Sequence, residues 1–149
     1  MAVVGRNTWT SCAEVTVALG LDRWQTRAVA DGTFRFSDLP EGTYALFARR
    51  GAAVAFVERV LVAAEAPALR IDLATGVIAQ GRVVERGGRG VAGAEISFDP
   101  GSAGVLAERA IADEIGRYKT RPLPIGRYAV SAQATDFLSP DPLLVELPS

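Results

Sequence analysis

The chain has 149 residues, 49% of them hydrophobic, so it can bury either one core of ordinary size or two small ones. Its 16 basic and 17 acidic residues nearly cancel, which excludes the strong positive field expected of a protein that binds nucleic acid or an anionic membrane. It has no histidine and one cysteine, Cys12, so it lacks the usual neutral-pH base, the commonest metal ligand and an internal disulfide.

Short stretches of alternating or β-branched residues, separated by turn residues, follow one another along the whole chain, with no convincing helical period. The pattern therefore predicts an all-β protein. In the first half it predicts strands at 2–5, 13–19, 24–30, 33–36, 43–49, 57–63 and 69–73. In the second half it predicts strands at 77–85, 95–99, 105–112, 118–120, 127–134 and 143–147. No apolar run approaches the roughly 18 residues of a membrane span, and no export leader is recognisable, so we expect no direct membrane insertion.

Several segments of the first half recur in the second half in the same order. The pairs are AEVTV (13–17) with AEISF (94–98), RAVAD (27–31) with RAIAD (109–113), LPEGTYA (39–45) with LPIGRYA (123–129), and RIDL (70–73) with LVEL (144–147). Repeats of this kind, with turn signals about every 8 to 12 residues, predict two consecutive β-sandwich domains of about seven strands each, at 1–74 and 75–149. The short link between them is not rich in Gly or Ser, so we expect a nearly rigid tandem.

The beginning of the first domain departs from the repeat. In the register of the AEVTV pair, the counterpart of residues 77–82, which begin the first predicted strand of the second half, falls at or before residue 1. We therefore expect the first strand of domain 1–74 to be shortened and the sheet edge beside it to be partly open.

Glycine, valine, proline and tyrosine recur at fixed spacings through the second half, at Gly81, Val83, Gly90, Val91, Gly93, Ala94, Gly116, Tyr118, Leu123, Pro124, Gly126 and Tyr128. The later part of the pattern returns in the first half, at Phe34, Leu39, Pro40, Gly42 and Tyr44. This pattern resembles the carboxypeptidase regulatory-like domain. The resemblance implies a small Greek-key sandwich similar in fold to transthyretin, which occurs mostly as a non-catalytic part of secreted or surface proteins, often in tandem. The match is specific for fold and says little about function.

On this basis we expect a non-catalytic spacer, scaffold or adhesion module of a bacterial protein, with an extracytoplasmic location implied by the resemblance alone. The expected partners are other domains of the same polypeptide or a separate protein, and no cofactor is expected. One alternative is a carbohydrate- or protein-binding module that uses Trp9, Trp24 and neighbouring arginines. Another is a self-associating subunit whose shortened first strand is completed by a strand from a neighbour.

Three groups of residues could suggest chemistry, and each has a simpler structural interpretation. The glycines of 87–90 could cradle a phosphate, but a strand pattern follows them and a hairpin turn is favoured. Asp113 and Glu114, with Asp31 in the first half, could bind a cation, but turn formation before a glycine is favoured. Cys12 has no histidine to activate it. The sequence therefore predicts no catalytic, cofactor or metal site.

The two tryptophans have no counterparts in the second half. Trp9 lies opposite Gly90 in a predicted loop, where an exposed indole could hold a sugar ring or anchor a protein. The favoured interpretation is that Trp24 fills the first core and Trp9 covers the edge beside it.

The repeated Leu-Pro-x-Gly-x-Tyr motif is predicted to form a structural corner in each half, at Leu39, Pro40, Gly42 and Tyr44, and at Leu123, Pro124, Gly126 and Tyr128. Leu caps the core, Pro and Gly turn the chain between sheets, and Tyr starts the next strand with its ring inward. Its hydroxyl is expected to bond a nearby backbone group, as in the tyrosine corner of Greek-key sandwiches.

Overall fold

A computed structural model of the chain describes residues 3–7, 13–29, 33–63, 69–101, 105–137 and 140–148. All regular elements in these ranges are β-strands, which confirms the all-β prediction. In the part of the chain that the structure describes, no helix is long and apolar enough to cross a membrane. The chain divides into two compact units, Met1–Thr75 and Gly76–Ser149, called below the first and second units.

The strands described in the first unit are β1 (Val3–Asn7), β2 (Glu14–Leu19), β3 (Asp22–Arg27), β4 (Thr33–Phe36), β5 (Gly42–Arg50), β6 (Ala53–Val62), β7 (Leu69–Ile71) and β8 (Ala74–Thr75). They form a five-stranded sheet in the order β3-β2-β5-β6-β8 and a three-stranded sheet in the order β4-β1-β7. All neighbours are antiparallel except β1 and β7, which run parallel.

The core of the first unit lies between its two sheets. Side chains alternate between the faces of a strand, so Val15 and Val17 of β2 both point inward and are fully buried. Phe34 and Ile71 come from the smaller sheet and belong to the same buried cluster. Because both sheets contribute to one core, they pack face to face as in a β-sandwich.

The strands described in the second unit are β9 (Gln80–Arg82), β10 (Glu95–Asp99), β11 (Glu108–Ile111), β12 (Arg117–Lys119), β13 (Gly126–Gln133) and β14 (Leu143–Leu147). One sheet has four strands in the order β11-β10-β13-β14, and β12 pairs with β9 in a second, two-stranded sheet. Ile96 and Phe98 of the larger sheet share a buried cluster with Ala79, which precedes β9, and Leu123, which follows β12.

The prediction of a shortened first strand is wrong. β1 pairs with β4 on one side and with β7 on the other, so it lies inside its sheet rather than at an open edge. Gly5 pairs with Phe34 as Gly81 pairs with Tyr118, which makes β1 the counterpart of β9. The misalignment arose because the second unit inserts a hairpin, closed by the Val84–Gly90 bridge, between its first two strands.

The pairing of RIDL with LVEL is also wrong. In the second unit, β14 is antiparallel to β13 and places Leu147 opposite Gly126. In the first unit it is β6 that has this place, with Val62 opposite Gly42. The counterpart of β14 is therefore β6. The strand that contains Leu69–Ile71 has no counterpart among the described residues of the second unit.

Candidate functional site

The two corner motifs have the same hydrogen bond. The Tyr44 hydroxyl donates to the carbonyl oxygen of Pro40 at 2.6 Å, and the Tyr128 hydroxyl donates to that of Pro124 at 2.6 Å. Both rings are buried in the cores of their units. Each tyrosine thus holds the turn before its own strand, as expected of a tyrosine corner, and its hydroxyl is occupied by the fold.

Burial of Tyr44 raises the pKa of its hydroxyl above the usual 10.0, and the nearby carboxylate of Asp22 adds to the increase. Desolvation disfavours the charged phenolate, so the hydroxyl keeps its proton at neutral pH. It therefore acts as a hydrogen-bond donor to the backbone and has no role as a base.

The glycine-rich segment at 87–90 forms a hairpin turn. The backbone N–H of Gly88 donates to the carbonyl of Glu85, and the N–H of Glu85 donates to the carbonyl of Arg89. No helix follows this turn in the described residues, because Val91 leads towards β10. The arrangement lacks the helix N-terminus on which phosphate loops depend.

Gly90 also permits a close approach of two backbone segments. A Cβ atom at this position would lie 1.9 Å from the carbonyl oxygen of Ile115. Gly116, beside it, has a φ of +85° and would place a Cβ 2.3 Å from the carbonyl oxygen of Val83. Gly90 is therefore required for packing, and Gly116 is required for both packing and backbone conformation.

Asp113 organises the turn that precedes β12. Its Oδ1 atom accepts hydrogen bonds from the backbone N–H groups of Ile115 and Arg117, at 3.0 and 2.9 Å. Glu114 is exposed, and Asp31 lies outside the described residues. Among the residues that are described, no three acidic or cysteine side chains come together in a way that could hold a metal ion.

Trp24 packs against the interior of the first unit. It pairs with Val17 across β2 and β3, and its ring lies 5.6 Å from that of Tyr44 at an angle of 57°. The side chain is partly buried against the first core. This placement fits the core-filling interpretation. Trp9 and Cys12 lie outside the described residues.

A groove in the second unit was missed by the sequence analysis. It has a volume of about 450 Å³ and lies between the segment 77–80 and strand β14. Phe98 and Val130 line it from the larger sheet, and Leu143, Val145 and Leu147 line it from β14. The alternation of these three apolar residues was a signal in the sequence, but it indicates only a strand with an apolar face and does not show whether that face is covered.

Equivalent positions in the first unit are more deeply buried. Val60 pairs with Tyr44 as Val145 pairs with Tyr128, and Val60 is buried while Val145 is only partly buried. Leu46 is fully buried, whereas Val130, which has the same place in β13, is only partly buried. Part of the apolar interior of the second unit is therefore open to solvent.

Tyr118 of β12 also lines this groove. Its ring lies over Gly81, where an added Cβ atom would come within 2.7 Å of the hydroxyl oxygen. The ring is also 6.2 Å from that of Phe98. Burial raises the pKa of the Tyr118 hydroxyl, in keeping with an apolar setting.

Comparison with known proteins gives little further guidance. No family model matches the chain, and no curated protein matches it. One solved structure with some similarity is described as the Bacillus anthracis TIE protein, with a TM-score of 0.39 and 16% sequence identity. The match covers 98% of this chain and 31% of that structure.

Proposed function

We propose that this chain is a non-catalytic structural or interaction module, serving as a spacer, scaffold or adhesion element of a bacterial extracytoplasmic protein. The observation that carries the proposal is the use of the repeated motif in the fold. Each repeated tyrosine donates its hydroxyl to the backbone of its own corner, so the residues that recur are engaged in shaping the chain. The positions where chemistry was considered, 87–90 and Asp113, form turns.

The resemblance to carboxypeptidase regulatory-like domains supports the same proposal. Domains of that family are mostly non-catalytic parts of secreted or surface proteins, which is the basis for proposing an extracytoplasmic location here. Gly90 and Gly116, which belong to the family pattern, have packing roles in the second unit. The lack of histidine in the sequence is in keeping with a non-catalytic role. The proposed partners are further domains of the same polypeptide or another protein.

A spacer function requires that the two units move together, and this can be measured. The short link predicts that backbone ¹⁵N relaxation will give one rotational correlation time for both units. The matched control carries a flexible Gly/Ser insertion between Thr75 and Gly76 and should show two shorter correlation times. Independent tumbling of the units in the unmodified chain would contradict the spacer function.

The glycan-binding alternative now depends on Trp9, because Trp24 packs against the core. Titration of the chain with soluble glycans, followed by tryptophan fluorescence, tests it directly. A saturable change that is lost on Trp9→Ala would favour this alternative, whereas an unchanged spectrum would eliminate it.

A protein-binding function has a specific observation in its favour, which is the open groove beside β9. The nature of the partner that this groove would accept can be inferred from the first unit.

A further inference from the structure

The first strand of each unit has a different number of neighbours. In the first unit, β1 has β4 on one side and the parallel strand β7 on the other. In the second unit, its counterpart β9 pairs with β12, and no strand among the described residues lies on its other side. The place that β7 has in the first unit is therefore open in the second.

The side chains of the segment that includes β7 show what this place accommodates. Ile71 is 1% exposed and Leu73 is 6% exposed, and both belong to the first core. Leu69 packs against the same core, while Arg70 and Asp72 between them are exposed. An extended strand with apolar residues at alternate positions thus completes the sandwich.

The groove of the second unit lies where such a strand would pack. It is bounded by the segment 77–80 on one sheet and by β14 on the other. β14 is the counterpart of β6. In the first unit the segment 69–75 ends in β8, which pairs with Ala53 and Val54 of β6. The apolar lining of the groove matches the apolar face that a strand of this kind would present.

The backbone beside the groove has free hydrogen-bonding positions. Val77 exchanges hydrogen bonds with Leu123, and the carbonyl of Ala79 accepts from the N–H of Thr120, so these residues bond towards β12. Backbone groups of successive residues in a strand point to opposite sides, so those of Ile78 and Gln80 face the groove side. Neither residue takes part in the loop and turn hydrogen bonds of the described residues. Gln80 lies opposite Lys119 in the ladder of β9 and β12, at a position that alternation makes a non-hydrogen-bonded pair.

We propose that the groove beside β9 binds an extended segment of a partner polypeptide, which adds to β9 as a parallel strand and places alternate apolar side chains between the sheets. The partner segment would resemble Leu69–Leu73, with large aliphatic residues at alternate positions and polar residues between them. Backbone hydrogen bonds to an exposed edge give affinity in such complexes, and the pockets for alternate side chains give specificity. The inference deepens the proposed interaction role and rests on it.

The first test uses the whole chain and a synthetic peptide with the sequence APALRIDLAT, which corresponds to residues 66–75. In the register of β1 and β7 the leucine after the first three residues would lie opposite Gly81, so those three residues extend the peptide to Gln80. Titration followed by ¹⁵N-resolved chemical shifts should show saturable binding, with the largest shifts at β9 and β14. A matched peptide in which the counterpart of Ile71 is Asp, APALRDDLAT, should bind about tenfold more weakly or worse, because a charge would enter an apolar groove.

The second test changes the protein at one backbone group. Gln80→Pro removes the N–H that faces the groove, and proline is tolerated on a strand edge whose N–H is not used in the sheet. We expect about tenfold weaker peptide binding with this variant, since a backbone hydrogen bond is lost. Gln80→Ala also truncates the side chain while it keeps the N–H, so it should bind the peptide more tightly than Gln80→Pro, and the difference isolates the backbone hydrogen bond. If Gln80→Pro does not fold, amide hydrogen exchange at Gln80 replaces it, and the peptide should slow this exchange in the unmodified chain.

Several results would overturn the proposal. These are the absence of saturable binding, chemical shifts that map away from β9 and β14, equal peptide binding by Gln80→Pro and Gln80→Ala, unchanged exchange at Gln80, or a homodimer that persists in saturating peptide. All of these results are independent of the relaxation measurement on the spacer function, so the failure of one proposal can be distinguished from the failure of the other.

Discussion

The two units use the same corner and close their sandwiches differently. In the first unit the segment at 69–75 contributes β7, which pairs with β1, and β8, which pairs with β6, and its side chains Ile71 and Leu73 are buried. In the second unit the corresponding place is a groove of about 450 Å³ lined by apolar residues. The comparison teaches that the shared motif specifies the turn and the start of the next strand, while a separate segment decides whether the interior is sealed.

A second difference concerns one cross-strand pair. In the first unit Trp24 pairs with Val17, and in the second unit Glu108 pairs with Phe98. The large aromatic side chain is therefore on the edge strand in the first unit and on the inner strand in the second. Glu108 forms a two-pronged ion pair with Arg121, with both N–O distances 2.9 Å. Trp24 has no tryptophan counterpart in the second unit because the large aromatic residue of this pair lies on β3 in the first unit and on β10, as Phe98, in the second.

The largest expected effect comes from removing the side chain that closes the first sandwich. Ile71→Ala should lower the free energy of unfolding of the first unit by about 3 kcal/mol, because it leaves a cavity in a fully buried site. Urea unfolding followed by tryptophan fluorescence reports on this unit, since both tryptophans, Trp9 and Trp24, belong to it. A loss below about 1 kcal/mol would show that β7 is not a sealing strand.

The next largest effect tests a packing feature of the second unit. Gly90→Ala should destabilise this unit by about 2 kcal/mol or more, because the new Cβ would collide with the Ile115 carbonyl and force overpacked backbone segments apart. The matched control is Gly87→Ala, whose Cβ would come no closer than 3.8 Å to the Glu85 side chain. Calorimetry should show a lower melting temperature for the first variant alone, and equal behaviour of the two would contradict the close approach.

A matched pair of valines compares the sealed and open interiors directly. Val60→Ala in the first unit should cost about 2 kcal/mol, because two buried methyl groups are lost. Val145→Ala, at the equivalent place in the second unit, should cost about half as much, because the side chain is already partly solvated. Urea unfolding of both variants measures the difference. Equal losses would mean that the groove is closed in solution.

The corner hydrogen bond should contribute equally in both units. Tyr44→Phe and Tyr128→Phe each remove a single hydroxyl that donates to a proline carbonyl, and each should cost about 1 kcal/mol. Denaturant unfolding, with tryptophan fluorescence for the first unit and far-ultraviolet circular dichroism for the whole chain, provides the measurement. Wild-type stability in either variant would show that the hydroxyl has no stabilising role in that corner.

The smallest effect at neutral pH concerns proton binding. Burial raises the folded-state pKa of Tyr44 and Tyr118 above 10.0, so the unfolded chain releases these protons first as the pH rises. Stability should therefore be unaffected by these groups below about pH 10 and should fall as the pH rises through their folded-state pKa values. Urea midpoints measured across this range check the trend. Tyr44→Phe should make the decline less steep, and an unchanged slope would contradict the assignment.

Local features of the sequence were sufficient for the strands and the corners. Alternating apolar residues predicted most strands, since a strand with one buried face needs that period. The corner motif predicted the tyrosine hydrogen bond because donor and acceptor are only four residues apart, as in Tyr128 and Pro124. Interactions over such short separations depend little on the rest of the fold.

The residue-by-residue alignment of the two halves was harder to predict from the sequence. RAVAD and RAIAD were aligned on their shared letters, but the structure shifts them by two residues: Ala28 donates to the carbonyl of Ala13, and Ala112 to that of Ala94. A shift of two keeps every side chain on the same face, so the hydrophobic pattern cannot detect it.

The sequence by itself determined that this protein is all-β, that its pattern is repeated, and where its corners lie. Tertiary structure alone decided that β1 is an inner strand, that β14 corresponds to β6, and that β9 has an open side. RIDL and LVEL are both short alternating segments, and nothing in their composition states which strand each will pair with. Strand pairing is a contact between distant parts of the chain, so a vacant place in a sheet becomes visible only when all the strands have been placed.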